Sequence, residues 1–194
     1  MELTEAIRSR RSVRKFTRKE VSQQKIKKLV DAAIMAPSPL NLQPWLFTVV
    51  TGKPRDELLG IISRATTVMD DILAVYGLDE KTLPAAKEAA LRFYSNLGDA
   101  PVIMVASVPS TSHPYLNKMR LAAVAMAFQN LMLTAYASGL GTCCITPAAW
   151  IEEEVKKFLK LSDRDVGLMM VLGYPDEKPA PLPRNQEVVR WLGF

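Results

Sequence analysis

Apolar side chains along this chain recur either at helical spacing or in short unbroken runs, and the two patterns divide it into elements. Leu3, Ala6 and Ile7 share one face of a short helix over residues 2–9. Ile26, Leu29, Val30, Ala33 and Ile34 repeat at helical spacing behind Ser22, an N-cap, and Pro37 and Pro39 stop that helix. Residues 46–50 favour a strand and end at Thr51-Gly52. Residues 55–64 read as helix, residues 66–83 are mixed and read as a mobile lid, and Pro84 opens a helix running to about Asn96. Residues 102–108 form an apolar run of strand length. Residues 115–138 form a long helix with Leu121, Ala122, Val124, Ala125, Phe128, Leu131, Met132 and Ala135 spread nearly all round it, stopped by Gly139. A helix apolar on every side needs burial, and a subunit interface is one place to find it. A strand over 142–145, a helix over 151–161 and a buried strand over 166–173 follow. Residues 175–183 are proline-rich and extended, unsuited to a central strand. Helices and strands mix without strict βαβ alternation, and no glycine pattern of a dinucleotide or Walker loop appears.

Length and charge narrow the picture. A chain of 194 residues suits one domain and can bury about 70% of its unfolded surface without disulfides or metal. No apolar run approaches the ~20 residues of a membrane span, and residues 1–11 are charged and amphipathic rather than leader-like. The expectation is a cytoplasmic protein that touches no membrane. Cys143 and Cys144 are adjacent and too few for a disulfide scaffold. The single His113 has no ligand at metal-binding spacing, so no metal is expected. The net charge of +5 is local: Arg8, Arg10, Arg11, Arg14, Lys15, Arg18, Lys19, Lys25, Lys27 and Lys28 face only Glu2, Glu5 and Glu20. Such an arm suits nucleic acid, a membrane surface or a phosphate-bearing ligand, or is simply a solvated face.

Three segments carry candidate chemistry. In Arg10-Arg11-Ser12-Val13-Arg14-Lys15-Phe16 an extended backbone puts Arg10, Ser12 and Arg14 on one side, two charged forks and a hydroxyl suited to a phosphate and a polar ring edge. On its own the segment fits an ordinary basic surface as well. Ala36-Pro37-Ser38-Pro39-Leu40-Asn41-Leu42-Gln43-Pro44-Trp45 is a proline-stiffened loop that can present polar groups at low entropic cost, or a structural turn with Trp45 in the core. Gly139-Leu140-Gly141-Thr142-Cys143-Cys144-Ile145-Thr146-Pro147 leads from the long helix into a strand, where backbone amides could meet a ligand or glycines allow close packing.

Taken in order, and followed by Gly173-Tyr174-Pro175 and Pro183-Arg184, these segments resemble the nitroreductase family from Glu2 to the C-terminus. The resemblance implies an α+β fold, a central mostly antiparallel sheet flanked by helices, in an intertwined homodimer. It implies one domain over 1–194, with residues 175–194 an arm wrapping the partner subunit. It implies FMN as cofactor. Arg10 and Ser12 would hold the phosphate, Arg11 would lie along the ribityl phosphate, and Arg14 would meet the flavin N1–O2 edge. Pro37, Ser38, Pro39 and Asn41 would touch the neighbour's FMN. Pro147, Ala148 and Ala149 would pass the flavin N5 edge through backbone amides, Arg184 would close over the phosphate, and Asn96 is the candidate for the pyrimidine. Many relatives have Gly-Gly or Ser-Ser where this chain has Pro39-Leu40, a difference that bears on the substrate face more than on FMN.

The activity so implied is hydride transfer from NADH or NADPH through flavin N5 to a small-molecule electron acceptor, a nitroaromatic, quinone or flavin, in a ping-pong cycle. An enone or halogenated aromatic is the alternative acceptor. No side-chain nucleophile is needed, so no catalytic residue is named; His113 reads as a loop residue and the cysteines as small strand residues. A nucleic-acid-binding module using the basic arm is the reading from another class, although the arm lacks interleaved aromatics.

Overall fold

A computed structural model of the chain describes residues 2–146 and 150–193. Its apolar runs form strands β1 (Leu46–Thr51), β2 (Val102–Pro109), β3 (Gly141–Ile145) and β4 (Arg164–Gly173). They make one sheet in the order β1-β2-β4-β3, and every pairing is antiparallel. β2 is buried on both sides of its pleat because helices cover both faces of the sheet. Ile103 and Val105 join one apolar cluster with Met169, Val171 and Ile145. Val102, Met104, Ala106 and Val108 join the other with Met170 and Leu172.

The helices are α1 (Leu3–Ser9), α2 (Gln23–Ala33), α3 (Gly52–Ile62), α4 (Met69–Ala74), α5 (Leu83–Asn96), α6 (Pro114–Ala137) and α7 (Glu152–Leu159). Residues of α3, α4, α5 and α7 pack in the first cluster, those of α2 and α6 in the second. Ser22 caps α2 as the sequence indicates, its Oγ accepting from the Lys25 N–H at 3.4 Å. α6 is capped by His113, whose Nδ1 accepts from the Leu116 N–H at 3.4 Å; Gly139 follows it at φ 74°. One face of α6 is fully buried, with Val124, Phe128 and Leu131 at its centre. The opposite face, Lys118, Ala122, Ala125, Met126 and Gln129, is exposed on the single chain, and its middle is apolar. Apolar surface exposed in this way lacks its cover. No helix is long and apolar enough to cross a membrane.

Two elements differ from the sequence reading. α3 begins at Gly52, directly after β1, because Pro54 is tolerated in a first helical turn. The segment 66–83, read as a mobile lid, is anchored in its first part: a 3-10 turn runs into α4, and Met69, Ile72 and Leu73 are buried there. Only its later part, residues 75–82, is an exposed turn. The tail over 175–193 holds neither helix nor strand and is mostly exposed, as its prolines indicate.

The basic segment after α1 is held by backbone bonds to three places. The Val13 N–H donates to Thr142 O at 3.0 Å, Phe16 N–H to Gly98 O at 2.8 Å, and Thr17 N–H to Tyr174 O at 2.9 Å. Val13 and Phe16 are buried beneath it. This approach leaves no room for side chains opposite. A Cβ on Gly98 would stand 2.0 Å from Arg14 O, one on Gly141 2.9 Å from Val13 Cβ, and one on Gly173 3.1 Å from Phe16 Cδ1. Gly98 also has φ 62°, a conformation that costs other residues roughly 1–2 kcal/mol before any clash. Gly98→Ala is therefore expected to destabilise the fold by at least about 2 kcal/mol in a urea titration. A loss within about 0.5 kcal/mol, the range of an ordinary surface change, would mean that the segment does not lie against this turn.

Candidate functional site

The sequence row Arg10 to Arg14 stands where α1, the α6–β3 turn and the tail meet. Arg10 leaves α1 with extended backbone, φ −57° and ψ 135°, and Ser12 forms a parallel bridge with Thr142. A cavity of about 490 Å³ opens here, lined by Arg10, Arg11 and Val13, by Tyr136, Gly139, Gly141 and Thr142, and by Pro175, Glu177 and Lys178 of the tail. Arg11 Nη1 donates to Arg8 O at 2.7 Å and Arg10 O at 2.8 Å, a cation at a helix C-terminus where the dipole favours it. Its Nε is buried without a partner. A buried donor of this kind is costly unless something accepts from it.

The charges of Arg10 and Arg14 both reach Cys143 at the foot of the row. Burial pushes the Cys143 thiol up to about 11, against the pull of the two guanidiniums, Arg14 more than Arg10. Cys144 is raised by burial too, with Arg10 opposing. Consecutive strand residues face opposite sides, so the two thiols cannot bridge, and Cys144 Sγ lies 3.8 Å from Met132 Sδ. Raised, shielded thiols are poor nucleophiles. Beside the row, Lys15 is paired with Asp176 at 2.8 Å, and the Arg14 N–H donates to the Glu177 carboxylate. No ion pair among the described residues takes up the Arg14 guanidinium.

The proline loop is a separate structure. Pro39–Asn41 form a 3-10 turn. Ser38 organises it, its carbonyl accepting from Asn41 N–H at 3.0 Å and its Oγ from Gln43 N–H at 2.9 Å. Leu40, Asn41 and Gln43 have φ of 50°, 55° and 45°. Such strain persists only where the surroundings hold it, and it gathers at functional loops. Leu40 is 94% exposed at the loop tip. Pro39, Leu42 and Pro44 pack against Leu116, Met119 and Arg120 at the start of α6. Tyr136, in the wall of the Arg10 cavity, is at its end. Between Met119 and Tyr136 the helix rises about 25 Å. One chain therefore places Arg10 and Arg11 in the cavity wall, with Ser12 and Arg14 beside it but outside its lining, and keeps Pro37, Ser38, Pro39 and Asn41 away from them.

The remaining sequence candidates are scattered. Asn96 is a local turn residue, its Oδ1 accepting from Gly98 N–H at 2.9 Å, so it supports the glycine beneath Arg14. Arg184 stands in the exposed tail, its carbonyl accepting from Gln186 at 3.3 Å. Pro147, Ala148 and Ala149 lie outside the described residues. Just before them, Thr146 Oγ1 accepts from the Tyr76 hydroxyl at 3.1 Å, and burial pushes the nearby Tyr94 phenol up to about 12 in spite of its bonds to Thr146. The sequence reading missed Tyr76, Tyr94, Glu177 and Arg164. The Tyr76 and Arg164 contacts span 70 and 120 residues, and no local pattern announces them. A larger cavity of about 620 Å³ lies between α3 and β2, but its arginines are engaged: Arg18 with Asp99 at 3.2 Å, Arg55 with Ala100 O at 2.8 Å and Asn96 O at 3.2 Å.

The model of the Nitroreductase family matches residues 7–174. The chain is 30% identical to 4-nitrobenzoate reductase of Pseudomonas putida over 218 residues, 97% of this chain and 94% of that protein. It is 26% identical to iodotyrosine deiodinase of Thermotoga neapolitana over 197 residues, 99% of this chain and 98% of that one. Among solved structures, the FMN and NADPH-dependent nitroreductase NfnB from Sphigopyxis sp. strain HMH superposes with a TM-score of 0.81 at 26% identity, covering all of both chains. Matched by the family model over most of its length and by a relative at 30% identity, the chain belongs to the nitroreductase family.

Proposed function

We propose that the protein is an FMN-dependent oxidoreductase that carries a hydride from NADH or NADPH to a small organic acceptor, and that two copies of the chain complete each site. The observation that carries the reading is the Arg10 cavity with its buried, unpartnered Arg11 Nε. Its volume of about 490 Å³ lies within the ~300–1,000 Å³ of small-molecule sites. Its donor set of guanidiniums suits an anionic phosphate. When bound, FMN supplies a ring that accepts a hydride and passes it on. The chain's part is to bind and tune it. Arg10, Arg11 and Ser12 hold the phosphate, with Arg184 closing over it. Arg14 puts a fixed charge at the N1–O2 edge, where negative charge develops on reduction, and so raises the potential. Asn96 keeps the turn beneath Arg14 in place.

The second copy follows from the length of α6. Its exposed apolar face centres on Ala125 and Met126. A two-fold axis there pairs the helices antiparallel, as an isologous interface requires. Tyr115 of one protomer then falls beside Tyr136 of the other, and the loop of Pro37, Ser38, Pro39 and Asn41 reaches the partner's Arg10 cavity. The exposed Val188, Val189, Trp191 and Leu192 of the tail are apolar surface of the kind an arm wrapping the partner would bury.

The acceptor class is a nitroaromatic, quinone or flavin. A halogenated aromatic is the second reading, favoured by the deiodinase among the relatives. Anaerobic turnover of the NAD(P)H-reduced protein with each acceptor separates them.

Two tests address cofactor and assembly. The purified protein is expected to carry FMN and to bleach on anaerobic addition of NADH or NADPH. Arg10→Ala should weaken FMN by about 10- to 100-fold, the loss of one charge-assisted contact. Lys27→Ala, which removes only an exposed pair with Asp31, should leave it unchanged; equal losses would make the phosphate site a diffuse basic surface. Met126→Glu, which puts charge in the proposed seam, should cost dimerisation and FMN together, read by sedimentation and flavin absorbance. A monomeric variant that keeps its flavin would contradict the shared site.

A further inference from the structure

Arg164, the first residue of β4, is charged at the start of an apolar strand. Its Nε donates to Ser107 Oγ at 2.9 Å. Its Nη2 donates to Ser107 O at 2.8 Å and to Pro44 O at 2.7 Å. The planar fork thus spans two chain segments, as an ammonium on a single stem cannot. The bridge falls where the sheet is irregular: Ala106 pairs with Leu168 but Ser107 with Val166, which leaves Gly167 over. From the other side Arg120 of α6 donates to Pro109 O at 2.6 Å. Pro44 is buried, so its carbonyl needs a donor, and Arg164 supplies one.

Pro44 is also where the strained loop ends. Leu40, Asn41 and Gln43 hold left-handed backbone without being glycine, and a loop can keep such a shape only while its ends are fixed. Its leading end follows directly from α2, where Ile34 N–H still donates to Val30 O at 3.0 Å. Its trailing end is fixed by Arg164 to the ends of the two central strands, β2 and β4. We infer that Arg164 is a positioning residue that fixes the Ser38–Asn41 loop for FMN in the partner's site and not in its own. The inference rests on the shared site proposed above.

Mixed dimers test it. Chains carrying two different affinity tags are co-expressed and purified in tandem, so that each dimer holds one Arg10→Ala chain and one Arg164→Gln chain. Each homodimer is expected to bind FMN about 10- to 100-fold more weakly than the unaltered protein, the effect of losing a hydrogen bond to a charged group. The mixed dimer should recover one site of full affinity, built from the intact row of the Arg164→Gln chain and the intact loop of the Arg10→Ala chain. A residue that merely supports its own subunit gives no recovery, and that result overturns the inference. So does an Arg164→Gln homodimer with undiminished FMN affinity. If Arg164→Gln does not fold, Arg164→Lys takes its place in the same design, keeping the charge and losing the fork. A parallel mix of Arg10→Ala with Asn41→Ala separates the two levels: recovery there alone overturns the role of Arg164, and recovery in neither overturns the shared site as well.

Discussion

Helix α6 has 24 residues, a rod of about 36 Å, and its length sets what one chain can bring together. Its first turns carry the strained loop and its last turn walls the basic cavity. Neither end can bend toward the other, because Val124, Phe128 and Leu131 fix the middle of the rod against β2 and β4. The middle of the face left over is apolar and exposed. In the proposed dimer, a second α6 laid antiparallel would remove that face from water and bring loop to cavity in the same step. Burial and site assembly would then be one event, coupling cofactor binding to association.

The cavity end depends on close backbone contact. The basic row is held by three hydrogen bonds from Val13, Phe16 and Thr17, and Gly98, Gly141 and Gly173 leave space for it. This explains how exposed arginines come to be ordered: their own side chains are long, but Val13 and Phe16 between them are buried anchors. Two acidic residues of the tail sit beside the row: Asp176 holds Lys15, and Glu177, in the cavity wall, accepts from the Arg14 backbone.

Much of this was legible in the chain. The four strands and the long helix stand out because their apolar patterns are long, and Ser22 marks α2 by a local cap. The Arg10-Arg11-Ser12-Val13-Arg14 row was readable as a basic, extended segment because its charge and its alternation share five consecutive residues. Within 66–83, the burial of Met69, Ile72 and Leu73 was not legible because they make too short a pattern to separate from a loop, and only the cluster they share with Phe93 and Ala65 shows it. The glycines were visible but not their partners: Gly98 and Arg14 are far apart in sequence, and nothing local says that they touch. Arg164 is the extreme case, since its donors go to residues 57 and 120 positions away.

The central claim is that the flavin site exists only where two chains meet. Sedimentation velocity over a dilution series, recorded at protein and flavin wavelengths, tests it most directly. The account predicts a yellow dimer at high concentration and, as dilution releases monomer, a slower boundary that is colourless while free FMN stays unsedimented. A slow boundary that keeps its yellow colour would show a complete site within one chain and would contradict the account.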